Sequence, residues 1–393
     1  MTFFQYKTHR LSTSICAFAL AAVIVPFAQS ANAAITTKAP HAFLMDANTG
    51  AVLLSKDANK PMAPASMSKL MTVYMLMENL QEGHISLDTE FTTSANAWRK
   101  GGAKSGSSTM FLRPKSKVLV KDLLRGIIVQ SGNDACIVAA ENLAGSEEEF
   151  AKDMTEKAAE IGLSNSHFAN ATGWPNPGQM MSARDLAILA QHIIIKYPEY
   201  YEVFSEKSFT YNKIKQGNRN PLLYRLPTAD GLKTGHTVAS GYGLVGSAKN
   251  NGRRLILVIN GLASVKDRSS ESTRLMTWGF REFDNYTLFE KGQQVDTAKV
   301  WLGKKAEVGL QLPNDLTVTL PRSSRKKMKV SVIMNETIPA PVTAGDKIAT
   351  LRVTAPDIDP IETPLYASEN VERLGTSGRI VAAAKYLLWG MSK

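Results

Sequence analysis

Strand-like runs flank a long helical stretch, and this order limits the possible folds more than any other feature of the chain. Residues 41–45 and 51–54 enclose Asp46-Ala47-Asn48-Thr49-Gly50 as the arms of a β-hairpin do. Far along the chain, residues 241–247 and 254–259 are again strand-like. The Asn251-Gly252 dipeptide between them is a strong hairpin signal. Residues 64–79, 120–129, 135–144 and 147–161 read as helices, and Ser182 caps another that runs through residue 195. Residues 99–108, rich in Gly, Ser and Lys, read as loop, and 272–283 as a further helix. This order predicts an α+β fold, an antiparallel sheet built from both ends of the domain with a helical insertion between them.

Residues 1–33 read as a secretory signal peptide. Lys7 and Arg10 make a basic start, 15–27 is apolar, and Ala31-Asn32-Ala33 supplies small residues for cleavage. Cys16 lies ahead of most of the apolar run and follows the large Ile15, which argues against lipid attachment. Cleavage lowers the net charge from +11 to +9 and leaves Cys136 as the one cysteine, so no internal disulfide is expected. The positive balance suits phospholipid or cell-wall polymer, and export argues against nucleic acid.

A principal domain is expected over 34–289, followed by a small β domain over 290–368. Runs at 300–302, 316–320 and 329–333 alternate there with polar turns. Residues 369–393 form a tail. In it Ile380, Val381, Ala384, Leu387, Leu388 and Met391 share one helical face. Arg379, Tyr386, Trp389 and Lys393 lie round the other sides, with Lys385 at an edge. This is the pattern of a helix lying in an anionic membrane surface, and residues 371–393 are expected to act as a peripheral anchor. No later stretch reaches eighteen apolar residues, so no internal span is expected.

The chemistry begins at Ser66-Met67-Ser68-Lys69. Residues three apart meet on one helical face, and a desolvated, neutral lysine can take a proton from a serine hydroxyl. The same spacing recurs at Ser323…Lys326 and Ser324…Lys327, in a basic turn that reads as solvated charge. Acyl transfer also needs a proton relay, a cation for an anionic substrate and an oxyanion hole. Ser131-Gly132-Asn133 lies between two buried helices, and Lys233-Thr234-Gly235 starts the strand region. Other copies of these patterns, at Ser30, Ser94, Ser368 and Lys104-Ser105-Gly106, lack that context. The ordered set Ser66, Ser131, Lys233 reads as one site.

With Gly173-Trp174-Pro175, Ser182-Ala183-Arg184-Asp185-Leu186, Gly231-Leu232 before the third motif and Thr277-Trp278-Gly279-Phe280, these motifs resemble the low-molecular-mass penicillin-binding proteins. The similarity is to the type-5 serine D-alanyl-D-alanine carboxypeptidases, and it spans essentially the whole mature chain. It implies a penicillin-recognising, β-lactamase-like domain that removes the terminal D-alanine from peptidoglycan stem peptides at the periplasmic face of the cytoplasmic membrane. β-Lactams would be covalent inhibitors, and no cofactor or metal is expected. Ser66 would be the acylated nucleophile and Lys69 its base. Ser131 would relay the proton, Asn133 would hold the substrate amide, and Lys233 would give electrostatic support. The backbone N–H groups of Ser66 and His236 would form the oxyanion hole. Lys233, Thr234, Gly235 and Arg268 would bind substrate, with Thr234 and Arg268 on its terminal carboxylate. His167 and His192 lack partners at metal-ligand spacing and read as structural or exposed. Cys136 reads as a small buried residue.

Two rivals share these residues. A β-lactamase of class A deacylates through a glutamate-activated water, but residues 173–179 contain no glutamate. A non-enzymatic wall-binding protein would have no need of Ser66, Lys69, Ser131 and Lys233 together.

Overall fold

The computed structural model describes residues 35–335 and 337–389, so the expected signal peptide lies outside the described residues. One five-stranded antiparallel sheet draws its strands from both ends of the domain, as expected. Its order is Val52–Lys56, His41–Asp46, Arg253–Leu262, Gly241–Asn250, Ala229–Thr237. The N-terminal strand pairs with a partner some two hundred residues later, with Leu44 opposite Leu257. Asn251 and Gly252, both at positive φ, form the two-residue turn of the C-terminal hairpin.

Both faces of the sheet are covered, and side chains alternate between them. Phe43, Met45, Val245, Ile256 and Val258 join the core made by the inserted helices. Leu44 and Leu255 pack against Gly279 on helix Val265–Glu282. At the centre of the helical insertion stands Lys69–Gln81. Leu70, Met71, Val73, Tyr74, Leu76 and Met77 bury it on every side. Helices Val120–Ile128, Asn133–Ala144, Glu147–Glu160 and Ala183–Lys196 surround it.

Several local readings need correction. Residues 99–108 are not all loop: Ser94 caps helix Ala95–Gly101 by accepting from Ala97 N–H at 2.8 Å. That helix forms because Ala97 is buried and Gly101 lets its end close on the backbone of Asp134. The helix expected to start at 272 starts at Val265, where Ser264 accepts from Asp267 N–H at 3.0 Å. A polar first turn hid it. Helix then runs straight into strand Phe283–Phe289, which pairs with Leu316–Pro321.

A second core, including Val308, Leu310, Leu320, Leu351, Val353 and Leu365, underlies the C-terminal strands. It extends further along the chain than expected. Val371 is buried and pairs with Val342, Arg373 pairs with Gly303, and Leu374 N–H donates to Leu302. Residues 371–374 are therefore part of this β structure rather than tail. Helix Thr376–Trp389 follows, with Ile380, Val381 and Leu387 exposed. Met391 and Lys393 lie outside the described residues.

Sheet, hairpin and following helix are clamped at one point. The fully buried Asp46 carboxylate accepts from Asn48 N–H, Thr49 N–H and Arg253 Nε, the last at 2.7 Å. Arg253 also donates to the carbonyls of Gly279 and Phe283. Removing one partner strands the other as a buried charge, which costs about 3–5 kcal/mol. Asp46→Ala is expected to lower the urea midpoint by an amount of that size, measured against unchanged secondary structure in the folded baseline.

Candidate active site

Ser66 sits in one 3-10 turn, Ala65–Ser68, that leads into helix Lys69–Gln81. The spacing of three brings Lys69 Nζ to 2.9 Å from Ser66 Oγ. Ser66 is partly exposed and Lys69 fully buried. Lys69 Nζ also donates to the Thr172 carbonyl. Burial pushes Lys69 down to about 8, since an ammonium out of water is disfavoured; Cys136, Glu147 and Asp134 oppose the shift, and the Arg219 charge adds to it.

Ser131 occupies the junction between helices Val120–Ile128 and Asn133–Ala144 at φ 59. A non-glycine residue held there costs roughly 1–3 kcal/mol, so its surroundings must impose the conformation. Asp134 does much of this. Its buried carboxylate accepts from Thr109 Oγ1 (2.7 Å), Met110 N–H (2.8 Å) and Leu112 N–H (3.0 Å), tying segment 109–112 to the start of the second helix. Asn133 is also buried. Its Nδ2 donates to Ser107 Oγ at 2.9 Å, while its Oδ1 has no protein partner among the described residues.

Lys233 lies in the middle of strand Ala229–Thr237, not at its start, opposite Val245. The strand is the sheet's edge, so its outer backbone groups are unpaired by a further strand. Lys233 Nζ donates to Ser131 Oγ at 3.0 Å and to Thr234 O at 3.2 Å. Burial holds Lys233 well below the ordinary lysine value, and the charges of Lys69 and Arg219 push it the same way. Gly235 lets the strand close on the turn that carries Ser66. A Cβ there would stand 2.8 Å from Pro64 O and 3.1 Å from Met67 Cγ. Thr234 is buried beside it and His236 is exposed.

The structure joins Arg268 to this strand through a residue that motif reading missed. Tyr242 stacks on His236, ring centroids 3.9 Å apart, and the Arg268 guanidinium lies over the Tyr242 ring at 5.6 Å. Strand pairing could have pointed to Tyr242, because it stands directly opposite His236. Arg219 was also missed. It donates to Ser108 Oγ at 2.5 Å, and its charge disfavours protonation of Lys69, Lys233 and Arg268. No sequence motif marks it. Cys136 is buried, and burial pushes its thiol up to about 12. His167 Nδ1 lies 2.7 Å from Gly178 O, and His192 is lowered by burial.

The look-alike motifs stand elsewhere. Lys326 and Lys327 belong to the short turn Arg325–Lys327, and Ser94 is a helix cap. The arrangement of Ser66, Lys69, Ser131 and Lys233 is a hydroxyl beside a depressed amine, with a second hydroxyl beside a second depressed amine. Chemically it can activate one oxygen as nucleophile and shuttle a proton through the other.

Comparison with known proteins agrees with this architecture. The family described as D-alanyl-D-alanine carboxypeptidase matches residues 27–263, and the C-terminal domain of penicillin-binding protein 5 matches 283–373. The chain is 41% identical over 340 residues to D-alanyl-D-alanine carboxypeptidase DacC of Escherichia coli (strain K12), covering 86% of this chain and 85% of that one. It is 35% identical over 344 residues to DacF of Bacillus subtilis (strain 168), covering 86% and 87%. Penicillin-binding protein 5 from Haemophilus influenzae superimposes with a TM-score of 0.79 at 36% identity, over 86% of this chain and 99% of that structure. By the extent of these matches and by its fold, the chain belongs to the D-alanyl-D-alanine carboxypeptidase family.

Proposed function

We propose that the chain is a serine carboxypeptidase that removes the terminal D-alanine of peptidoglycan stem peptides through an acyl-enzyme on Ser66. The observation that carries this is the 2.9 Å contact between a partly exposed serine and a buried lysine whose ammonium form is disfavoured. Lys69 takes the hydroxyl proton as Ser66 Oγ bonds to the carbonyl carbon between the two D-alanines. Charge developing on the carbonyl oxygen falls to the backbone N–H groups of Ser66 and His236. The tetrahedral species collapses as the C–N bond breaks. Ser131 Oγ gives its proton to the leaving amine, and the proton that Lys69 took from Ser66 passes back to Ser131 Oγ, with the Lys233 contact supporting the transient alkoxide. Water then attacks the ester carbon as Lys69 takes one of its protons, and as the bond to Ser66 Oγ breaks that proton passes from Lys69 to Ser66.

The other roles follow from placement. The unpaired Oδ1 of buried Asn133 suits a substrate amide N–H. The edge strand offers its backbone to an extended peptide, with Gly235 keeping that edge close to Ser66. Thr234 and Arg268 bind the terminal carboxylate. Penicillins, whose strained amide stands in for the peptide carbonyl, acylate the same serine. Residues 173–179 supply no glutamate for fast deacylation, which favours a lasting adduct over β-lactamase turnover.

After export, helix Thr376–Trp389 tethers the enzyme to the periplasmic face of the anionic membrane. Its exposed Ile380, Val381 and Leu387 support this reading, and no described helix is long and apolar enough to cross a membrane.

Three outcomes test these proposals. Incubation with a pentapeptide stem is expected to release one D-alanine by mass, and labelled penicillin to mark Ser66; loss of both marks in Ser66→Ala completes the test. Acylation is expected to rise with pH and level off above about 8, because Lys69 is an ammonium below that value and a free base above it. Lys69→Ala should lower acylation by at least ~10²-fold and remove this rise. Deletion from Thr376 onward, which spares Val371 in the second core, is expected to release the enzyme from anionic vesicles while preserving penicillin acylation; continued tight binding would reject the tether.

A further inference from the structure

The segment that touches Lys69 from outside the motifs is organised by one amide side chain. Asn170 Oδ1 accepts from Thr172 N–H (3.1 Å), Thr172 Oγ1 (2.9 Å), Gly173 N–H (2.8 Å) and Trp174 N–H (3.1 Å), and its Nδ2 donates to Trp174 O at 3.1 Å. Gln179 Oε1 in turn accepts from the backbone N–H of Asn170 at 3.1 Å. The two carbonyls wrapped by this turn both engage the nucleophile helix. Ala171 O accepts from Thr72 Oγ1 at 2.7 Å, and Thr172 O accepts from Lys69 Nζ. Thr72 and Lys69 are three apart, so one helical face receives both. Gly173 closes the contact. At φ +78, a Cβ there would lie 2.0 Å from Ala65 O and 2.5 Å from Ser68 Oγ.

We infer that Asn170 is a positioning residue for acylation: it holds the Thr172 carbonyl against Lys69 and so fixes the direction of the amine lone pair. A neutral amine has two N–H donors and one lone pair. If Thr172 O takes one N–H, rotation about the Cε–Nζ bond is restricted and the lone pair can be kept toward the Ser66 hydroxyl. Without that acceptor the amine turns freely, and fewer of its orientations meet the proton it must take. An asparagine that merely folded its own loop would have no need to present both carbonyls to the helix bearing the base.

The inference rests on Lys69 being the base. Charged and titratable groups acting on Lys69 come from several elements: Lys233 on the edge strand, Asp134 and Cys136 on helix Asn133–Ala144, Glu147 at the start of the next helix, and Arg219. None of them is altered by changing residue 170, so a shift in pH dependence reports on the change made at that position.

The test is the saturating rate and half-saturating concentration of Ser66 acylation by a fluorescent penicillin, across pH, with the full chain. Asn170→Ala is expected to lower the saturating rate by roughly 10²-fold, as a misplaced catalytic group does, with little change in half-saturation. Asn170→Asp keeps the oxygen that gathers the three N–H groups. It is expected to retain most of the rate at high pH, with the rise moved to higher pH because a nearby carboxylate favours the Lys69 ammonium. It also serves if the alanine variant fails to fold. Wild-type rate and midpoint per folded molecule in both variants would overturn the inference. If Lys69→Ala is inactive while Asn170→Ala acylates normally, only the positioning role falls. If Lys69→Ala itself acylates normally, the base assignment falls and takes this inference with it.

Discussion

Two lysines, Lys69 and Lys233, share one buried cleft, and neither has a carboxylate in ion-pair contact among the described residues. Each is disfavoured as an ammonium by burial, and the charge on Lys69 further disfavours that on Lys233. An arrangement of this kind does not persist by its own attractions. The rest of the structure must impose it, and most features near the site are forms of that imposition. Ser131 is held in a left-handed conformation by its position between two helices. Ala65, next to Ser66, is held at φ 49. A three-residue hydrogen-bond set on Asp134 fixes the turn that carries Ser131 and Asn133.

The imposition works because three separately built elements converge. The Ser66 turn opens a helix buried on all sides. The Ser131 turn joins two further buried helices, and the Lys233 strand is the edge of a sheet whose central strands are fully enclosed. Packed interiors have little free volume and transmit displacement. A shift in any one element would be resisted by the core behind it, while the close approach permitted at Gly235 lets strand and helix touch without an intervening side chain. The two lysines, without a carboxylate in ion-pair contact among the described residues, are thereby held rigidly enough for a 2.9 Å and a 3.0 Å contact to be maintained together.

Much of this was legible in the sequence, for definable reasons. Short apolar runs and an Asn-Gly turn revealed the sheet, and longer apolar blocks revealed the helices. The order of Ser66, Ser131 and Lys233 distinguished the candidate site from look-alike patterns elsewhere. What escaped was of two kinds. Some groups act through the backbone, as Thr172 does, and a carbonyl has no residue type to recognise. Others act through pairing in space. Tyr242 matters because it stands opposite His236 and beneath Arg268, and Arg219 because it approaches Ser108. The helix at Val265 escaped because its first turn is polar and the apolar period starts only later. The partition of the C-terminus was displaced for a similar reason. Val371 looks like tail in a list of residues, but it fills the second core.

That last displacement bears on how a surface helix can be added to an enzyme without disturbing it. The β structure is closed by residues 371–374, through the Val342–Val371 bridge and the bond from Leu374 N–H to Leu302. Lys304–Glu372 and Lys305–Glu369 reinforce the same border with exposed ion pairs, which are individually weak. Only Gly375 then separates Leu374 from the first residue of helix Thr376–Trp389. Pulling on such a helix loads backbone pairs and a buried valine in the second core before it reaches the strands that carry Lys233. Lys69 and Lys233, whose contacts with Ser66 and Ser131 tolerate little displacement, are thus separated from the exposed apolar face by a whole hydrophobic core rather than by a flexible linker.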